Sequence, residues 1–586
     1  MCGIAAYKGT KQASPILLEA LRKMEYRGYD SAGIATVHDG VITVRKDTGK
    51  VEEVNKKVQF SELKGTTGIS HSRWATTGSV TQKNAHPHYS SDKKLAVVQN
   101  GIVENYQELK ATLEEKGYSF QSETDTEVIA KLVEDSEHDL LQAVQDAFLQ
   151  LHGRNAFVVL DSTGSIVAAK KGSPLILGIG EDALFLASDP AALLEHTKNV
   201  IFIEDNELVV LDDAYTIYNA NTLQELKKEP TTINWTVEQA QKGNYDHFMI
   251  KEIMEQKECI MQALAQPKEL IQTVVNEING AFGTYVVGCG TAGKVALTST
   301  YAFSDIAKMH INFAFGSEFP SYHDFLTEKS LLIAISQSGE TADTLEALET
   351  AKAKGGKIIS VVNVMGSTMM RKSDHTLMVN AGPEISVCST KATTNQLAIM
   401  YLLAYACNGR YDEGLSILKG TAAAVDEMLN DAFCAHVKKL AEKLLDQPNI
   451  YVIGRGMNYP MALEAAIKIQ EVSYIHAEGF AGGELKHGPL ALIDKDVPVI
   501  AFVANDETKE DILANAEETK ARGAYVIGIA PENNDVFDYW IQVPDCPETS
   551  PIPNIVPVQL LAYYLSTMKG NDVDKPKNLS KCVSVK

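Results

Sequence analysis

Hydrophobic and polar positions change rhythm twice along the chain. Through residues 2–228, short β-branched runs such as Gly33-Ile34-Ala35-Thr36-Val37 and Leu95-Ala96-Val97-Val98 alternate with amphipathic stretches such as Ser14 to Met24. That mixture predicts strands covered by helices, an α+β region. From 229 to 279 the pattern turns polar and helical, with Tyr245-Asp246-His247-Phe248-Met249 leading into Lys251-Glu252-Ile253, and predicts a helical interdomain connector. Beyond it, the apolar runs Leu331 to Ile335, Ile358 to Val362, Val497 to Val503 and Ala524 to Ile529 carry no polar alternation and are separated by helical periods. A strand apolar on both sides has to be covered on both, so these runs predict parallel sheets between helices.

This later pattern occurs twice. Tyr285-Val286-Val287-Gly288-Cys289-Gly290 recurs as Tyr451-Val452-Ile453-Gly454-Arg455-Gly456, and Leu348 to Gly355 recurs as Ala516 to Gly523. Two homologous α/β units are expected, over 280–425 and 426–570, followed by a polar tail over 571–586. Neither Gly-x-Gly extends to GxGxxG with a later acidic partner, so no nicotinamide cofactor is expected.

Composition narrows the function. At 586 residues the chain is too long for one core. A formal charge of −22 argues against nucleic acid or an anionic membrane as partner, while leaving room for a local basic pocket that takes a small anion. The eight cysteines form no CxxC pair and no metal-ligand spacing, so reduced thiols and no metal are expected. With no basic leader before an apolar stretch and no apolar run near the roughly 18 residues of a membrane span, a cytoplasmic protein is expected.

Candidate chemistry begins at Cys2. With Met1 removed, its thiol is a nucleophile whose own α-amino group, with a reference pKa of about 8, can serve as base. Polar clusters follow at Tyr26 to Gly33, His71 to Gly78, Asn100-Gly101 and Ser122 to Glu127. Singly, each is explained as a turn, a helix cap or a stacked surface pair. Together and in this order they resemble the glutaminase domain of the class II, N-terminal-nucleophile amidotransferases, which implies a four-layer αββα fold over 2–228. The resemblance gives Cys2 the attack on the glutamine amide, Asn100 and Gly101 the oxyanion hole, Arg73 the α-carboxylate and Asp125 the α-ammonium group. Trp74, in the loop that holds Thr76, stands where such enzymes place an aromatic gate over the ammonia route. Thr77 and Gln99 depart from the family, which has histidine there.

In the first α/β unit, Ser336-Gln337-Ser338-Gly339-Glu340-Thr341 lies between a strand and a helix opening at about Thr341. Hydroxyls and free N–H groups at a helix N-terminus make a phosphate cradle; an ordinary helix cap is the competing explanation. The second copy, Ala504-Asn505-Asp506-Glu507-Thr508, has carboxylates instead. It carries Glu464, Lys468 and Glu471 at helical spacing among apolar neighbours, which predicts charges on a covered face.

These units and the tail resemble the sugar isomerase (SIS) domains of the glutamine:fructose-6-phosphate aminotransferase (isomerising) family, each a doubly wound parallel sheet. The resemblance implies conversion of D-fructose 6-phosphate and L-glutamine to D-glucosamine 6-phosphate and L-glutamate, with no cofactor, in a homodimer. It gives Thr291, Ser336, Gln337, Ser338 and Thr341 to the phosphate, and Glu384, Val387, Ser389 and Lys468 to the sugar site, with Lys486 in support. His487, with Glu384, assists ring opening, Lys581 forms a Schiff base at C2 and Glu471 moves the proton between C1 and C2. Ala292 replaces a family serine and Thr393 a phenylalanine, which leaves open another ketose phosphate. A sugar isomerase without glutaminase chemistry and a non-catalytic phosphosugar sensor are the remaining alternatives. Cys2 with Arg73, Asn100 and Asp125 speaks against the first, and Glu471 with His487 and Lys581 against the second.

Overall fold

The computed structural model describes residues 2–233, 235–236 and 238–583; Met1 and the end of the expected tail, 584–586, lie outside the described residues. The chain divides into two compact units, 1–241 with 580–586, and 242–579.

In the first unit an eight-stranded and a seven-stranded antiparallel sheet bury their inner faces against each other through Ile4, Ile69, Val98, Val158 and Leu186. The helix Ala13–Met24 covers the outside of one sheet with Leu17, Leu21 and Met24. Helices Thr126–Asp135 and Leu140–Gln150 cover the other with Val128, Ile129, Val144 and Phe148. The result is four layers, helix, sheet, sheet, helix. Strand Gly3–Gly9 lies between Thr67–Arg73 and Ala183–Ala187, so Cys2 enters a strand held on both sides.

The second unit holds two five-stranded sheets, each with strand order 2-1-3-4-5 when its strands are counted in sequence; every pairing is parallel. The two copies inferred from the repeat therefore share one topology. The Gly-x-Gly of each copy has a packing cause. A Cβ on Gly288 would stand 2.6 Å from the Ala292 carbonyl carbon, and one on Gly454 2.2 Å from the Asn458 oxygen, so glycine lets the following helix approach its strand.

Between the sheets run the buried helices Lys391–Cys407 and Pro551–Met568. The stretch expected as a connector differs: helices Phe248–Met254, Gln256–Ala263 and Lys268–Gly280 belong to the second unit, with Met249, Ile253, Ile260, Val274 and Ile278 in its core. Their apolar stripes need covering, and the second unit supplies the surface. The tail also divides. Residues up to Leu579 belong to the second unit and Ser580 onward to the first, where the Ser580 hydroxyl donates to the Arg27 carbonyl at 3.4 Å. No disulfide joins the cysteines among the described residues.

Candidate active site

Pairing of Gly3 with Ser72 brings Cys2 to the end of strand Thr67–Arg73. Its Sγ accepts the Trp74 N–H at 3.2 Å and lies 3.4 Å from the Trp74 carbonyl. The Cys2 carbonyl accepts from Asn100 Nδ2 at 3.0 Å and from Arg27 Nε at 3.3 Å. Burial pushes the Cys2 thiol up, while the Trp74 amide and the Arg73 charge pull it down. Gly101 has φ +107°, and a Cβ there would fall 1.8 Å from the Arg154 carbonyl oxygen. Only glycine fits the position beside Asn100.

What orients Asn100 was not read from the sequence. His71 Nε2 lies 3.1 Å from Asn100 Oδ1 and 2.9 Å from the Gln99 carbonyl oxygen. Both are acceptors, so Nε2 carries the proton, and the Asn100 amide is turned with its NH2 toward Cys2. Burial, opposed by the bond to Asn100 and reinforced by the Arg73 charge, pushes the His71 imidazole down to about 3, so it acts as a neutral donor. A usable signal was present: His71 precedes Arg73 by two residues on a strand and shares its face. His71→Leu is expected to lower kcat for glutamine hydrolysis by roughly 10- to 100-fold, less than direct loss of an oxyanion donor. KM should change little. His71→Gln, which restores an N–H at the Nε2 position, should recover most of the rate; equal losses in steady-state kinetics of both variants would argue against this role.

Arg73 is buried and donates to the carbonyls of Thr77 at 2.5 Å, Gly78 at 3.2 Å and Ser79 at 3.3 Å, so its guanidinium organises the loop containing Thr76. Thr76 itself is exposed. Asp125 is buried and accepts the Val103 N–H at 2.7 Å. Burial raises its carboxyl pKa against the pull of that bond and of Arg73. The Trp74 indole stands edge-on to Tyr29 at 5.3 Å. Gln99, where the resemblance led to histidine being expected, donates to Asn155 at 2.7 Å and accepts from Thr126, beside Asp125, at 2.8 Å.

In the second unit the 2-1-3-4-5 order places a topological switch point between the strands Thr284–Gly288 and Leu331–Ser336, where open α/β sheets bind ligands at the strands' carboxyl ends. The first strand leads to Thr291 and the second to Ser336–Thr341. Ser336 Oγ accepts the Gly339 N–H at 3.0 Å and lies 3.4 Å from Thr341 Oγ1. Thr341 is the N-cap of helix Ala342–Ala353. Gln337 and Ser338 remain half-buried, and Glu340 turns one oxygen to the Thr368 amide at 2.7 Å. In the other copy Asp506 takes the Thr508 N–H and hydroxyl at 2.8 and 2.7 Å, a self-contained turn ahead of helix Lys509–Lys520.

Helix Tyr459–Ser473 carries Glu464, Lys468 and Glu471. The Lys468 side chain is fully buried, with Nζ 2.8 Å from Glu471, 3.3 Å from Glu464 and 3.0 Å from Thr291 Oγ1. Thr291 in turn donates to Glu464 at 3.0 Å. Burial opposes the Lys468 charge, but Cys388 and the two carboxylates outweigh it and hold its pKa well above the usual range. Burial lifts Glu464 to about 7, against the pull of Lys468. Glu471, at 26% side-chain exposure, is the member of the triad open to a substrate.

The other expected sugar-site residues have these surroundings. Glu384 accepts the Thr390 and Ala392 N–H groups at 2.9 and 3.0 Å and the Ser389 hydroxyl at 3.1 Å, so it caps helix Lys391–Cys407 and fixes the loop. Val387 donates its N–H to the Asp574 carbonyl at 3.0 Å. His487 is exposed on the turn Gly482–His487, and no hydrogen bond joins it to Glu384 among the described residues. Lys581 is half-buried and belongs to the first unit.

Comparison with known proteins agrees with this division. The glutamine amidotransferase domain family matches residues 71–195, and the SIS domain family matches 281–406 and 443–569. The glutamine–fructose-6-phosphate aminotransferases (isomerizing) of Pyrococcus horikoshii and Methanothermobacter thermautotrophicus are 43% and 44% identical, with all of both chains covered in each case. The solved C-terminal domain of glucosamine-fructose-6-phosphate aminotransferase from Francisella tularensis is 34% identical, covers 57% of this chain and 100% of its own, and superposes with a TM-score of 0.53.

Proposed function

The chain belongs to the glutamine–fructose-6-phosphate aminotransferase (isomerizing) family, and from that premise we infer how its residues divide the work. The enzyme makes D-glucosamine 6-phosphate from D-fructose 6-phosphate and takes its nitrogen from L-glutamine, which leaves as L-glutamate. In our reading, the Cys2 thiolate attacks the glutamine side-chain carbonyl, and the oxygen that becomes negative is met by Asn100 Nδ2–H and the Gly101 N–H. Ammonia leaves and water releases glutamate from the thioester. Arg73 and Asp125 hold the two charged ends of glutamine, and His71 fixes the Asn100 amide.

Ammonia passes internally to the sugar. Ser336, Gln337, Ser338 and Thr341 bind the phosphate at the helix N-terminus. His487 assists ring opening, while Glu384 serves by fixing the loop that presents Val387 and Ser389. The Lys581 amine condenses with the C2 ketone and is displaced by ammonia. Glu471, held by Lys468, then takes a proton from C1 and returns it at C2, which turns the ketose imine into the aldose amine. We place the enzyme in the cytoplasm as a homodimer.

The observation that carries this reading is the buried Lys468 holding a half-exposed Glu471 on one side and Thr291, beside the phosphate cradle, on the other. Incubation of Met1-processed protein with glutamine, with and without fructose 6-phosphate, tests it by glutamate and hexosamine phosphate measured together. Equimolar products, with hydrolysis stimulated by the sugar, are expected; glutamate alone would sink the assignment of the sugar site. Borohydride should trap a covalent sugar on the wild type. Lys581→Ala is expected to give no trapped adduct and no amino sugar while still hydrolysing glutamine, and an adduct on that variant would move the Schiff base elsewhere.

A further inference from the structure

The first unit contains a cavity of about 270 Å³, lined by Lys46, Lys83, Lys93 and Lys131, that includes neither Cys2 nor Arg73, Asn100 or Asp125. In a chain with a net charge of −22, four lysines on one cavity are a local reversal of sign. Two are already balanced: Lys83 pairs with Glu123 at 2.8 Å and Lys131, itself buried, with Glu134 at 3.5 Å. The other two are not. Lys46 donates to the carbonyls of Ala85 at 2.5 Å and Pro87 at 2.9 Å, and has no carboxylate partner among the described residues. Burial lowers its pKa to about 8, with the Arg73 charge acting in the same direction against the attraction of Glu127. Lys93, which is exposed, meets only the face of Tyr89 at 5.9 Å. Glu127, the acid in the wall, accepts the Gln121 and Ser122 N–H groups at 2.7 to 3.1 Å, which orients its carboxylate and leaves its negative charge acting on Lys46.

We propose that this cavity is a binding site for a small phosphomonoester, distinct from both the glutamine and the sugar-phosphate sites. The charge count sets the class. Lys46 and Lys93 make no ion pair, and against the Glu127 carboxylate they leave one positive charge in excess, which favours a small anion because enclosed charges are stable when paired. The lysine ammonium groups and the serine hydroxyls of the wall supply the donors a phosphate takes. The volume leaves space beside the phosphate for a small organic body.

The test is lysine acetylation of the full-length protein, mapped by peptide mass spectrometry, with glycerol 3-phosphate as probe and inorganic phosphate as a second arm. At about ten times its Kd the probe leaves roughly a tenth of the sites free, so acetylation of Lys83 and Lys93 should slow about tenfold while that of exposed Lys64 does not change. The protection should persist in Ser336→Ala/Thr341→Ala, which weakens the other phosphate site, and vanish in Lys46→Met. Should that variant fail to fold, Lys93→Glu, on the surface, should lose protection at Lys83. Equal acetylation with and without the probe would overturn the proposal. So would protection that survives Lys46→Met or Lys93→Glu, or that disappears in the Ser336/Thr341 variant. Protection by inorganic phosphate alone would overturn the assigned ligand class.

Discussion

Cys2→Ala is expected to lower glutamine-dependent amino-sugar formation by at least roughly 10³-fold, the scale on which loss of a catalytic nucleophile acts, and to leave synthesis from high ammonia close to wild type. In the proposed mechanism the thiol attacks the amide, and the surrounding bonds cannot substitute for it: the Trp74 amide and Asn100 bind and orient but form no covalent intermediate. Apart from Lys581, the residues proposed for the sugar reaction lie in the other compact unit, whose core is built without Cys2. Alanine fits where the thiol stood, half-buried at the strand's start, so thermal unfolding should change little. Parallel assays with glutamine and with ammonium salt decide the matter. Equal loss of both activities would mean that Cys2 supports the fold or the sugar chemistry and would defeat the assignment of separate sites.

Lys468→Met should produce the largest loss of stability. The ammonium is fully buried and is the shared partner of Glu464, Glu471 and Thr291. Its removal leaves Glu464, also buried, without its ion-pair partner, and breaking a buried pair from one side typically costs about 3–5 kcal/mol. The sugar reaction should fall with it, because Glu471 loses the contact that sets its position. Glutamine hydrolysis without sugar should survive at temperatures where the second unit stays folded. Urea unfolding reports the loss, and the double variant Lys468→Met/Glu464→Gln should regain part of it by removing the stranded carboxylate. A single variant within about 1 kcal/mol of wild type, the range of an exposed ion pair, would mean that solvent reaches the triad. The pH dependence has a definite sign. Glu464 titrates at about 7 in the folded protein, above the ordinary 4.5, so its contribution is fully present below the unfolded value and is lost as pH rises through 7. Glu464→Gln should flatten the decline in stability over that window.

Much of this was legible in the sequence wherever a function is written in local spacing. Glu464, Lys468 and Glu471 share a helix face because 3.6 residues make a turn, and their apolar neighbours announced that the face would be covered. The repeated strand-Gly-x-Gly pattern gave two like sheets because the close strand–helix approach admits no Cβ at Gly288 or Gly454. Ser336 to Thr341 stood out as a loop at a helix N-terminus, and Cys2 with the clusters after it marked a glutaminase before any contact was known.

What the sequence could not supply was every contact across long stretches of chain. Thr291 meets Glu464 across 173 positions, and His71 meets Asn100 across 29. The helices after Phe248 had the periodicity of a connector and became core because the second unit has a face to bury them. Glu384 was legible as a charged sugar-site candidate, but that it also takes the Thr390 and Ala392 N–H groups was not, because the chain turns back within six to eight residues to offer them. The sequence by itself determined the kinds of element, the repeat and the chemical inventory, because helix period, strand alternation and glycine's missing Cβ act between near neighbours. Only the tertiary structure decided which charges are buried together, which histidine aims Asn100 and where four lysines share a cavity, because burial and pairing depend on what distant segments place beside each group.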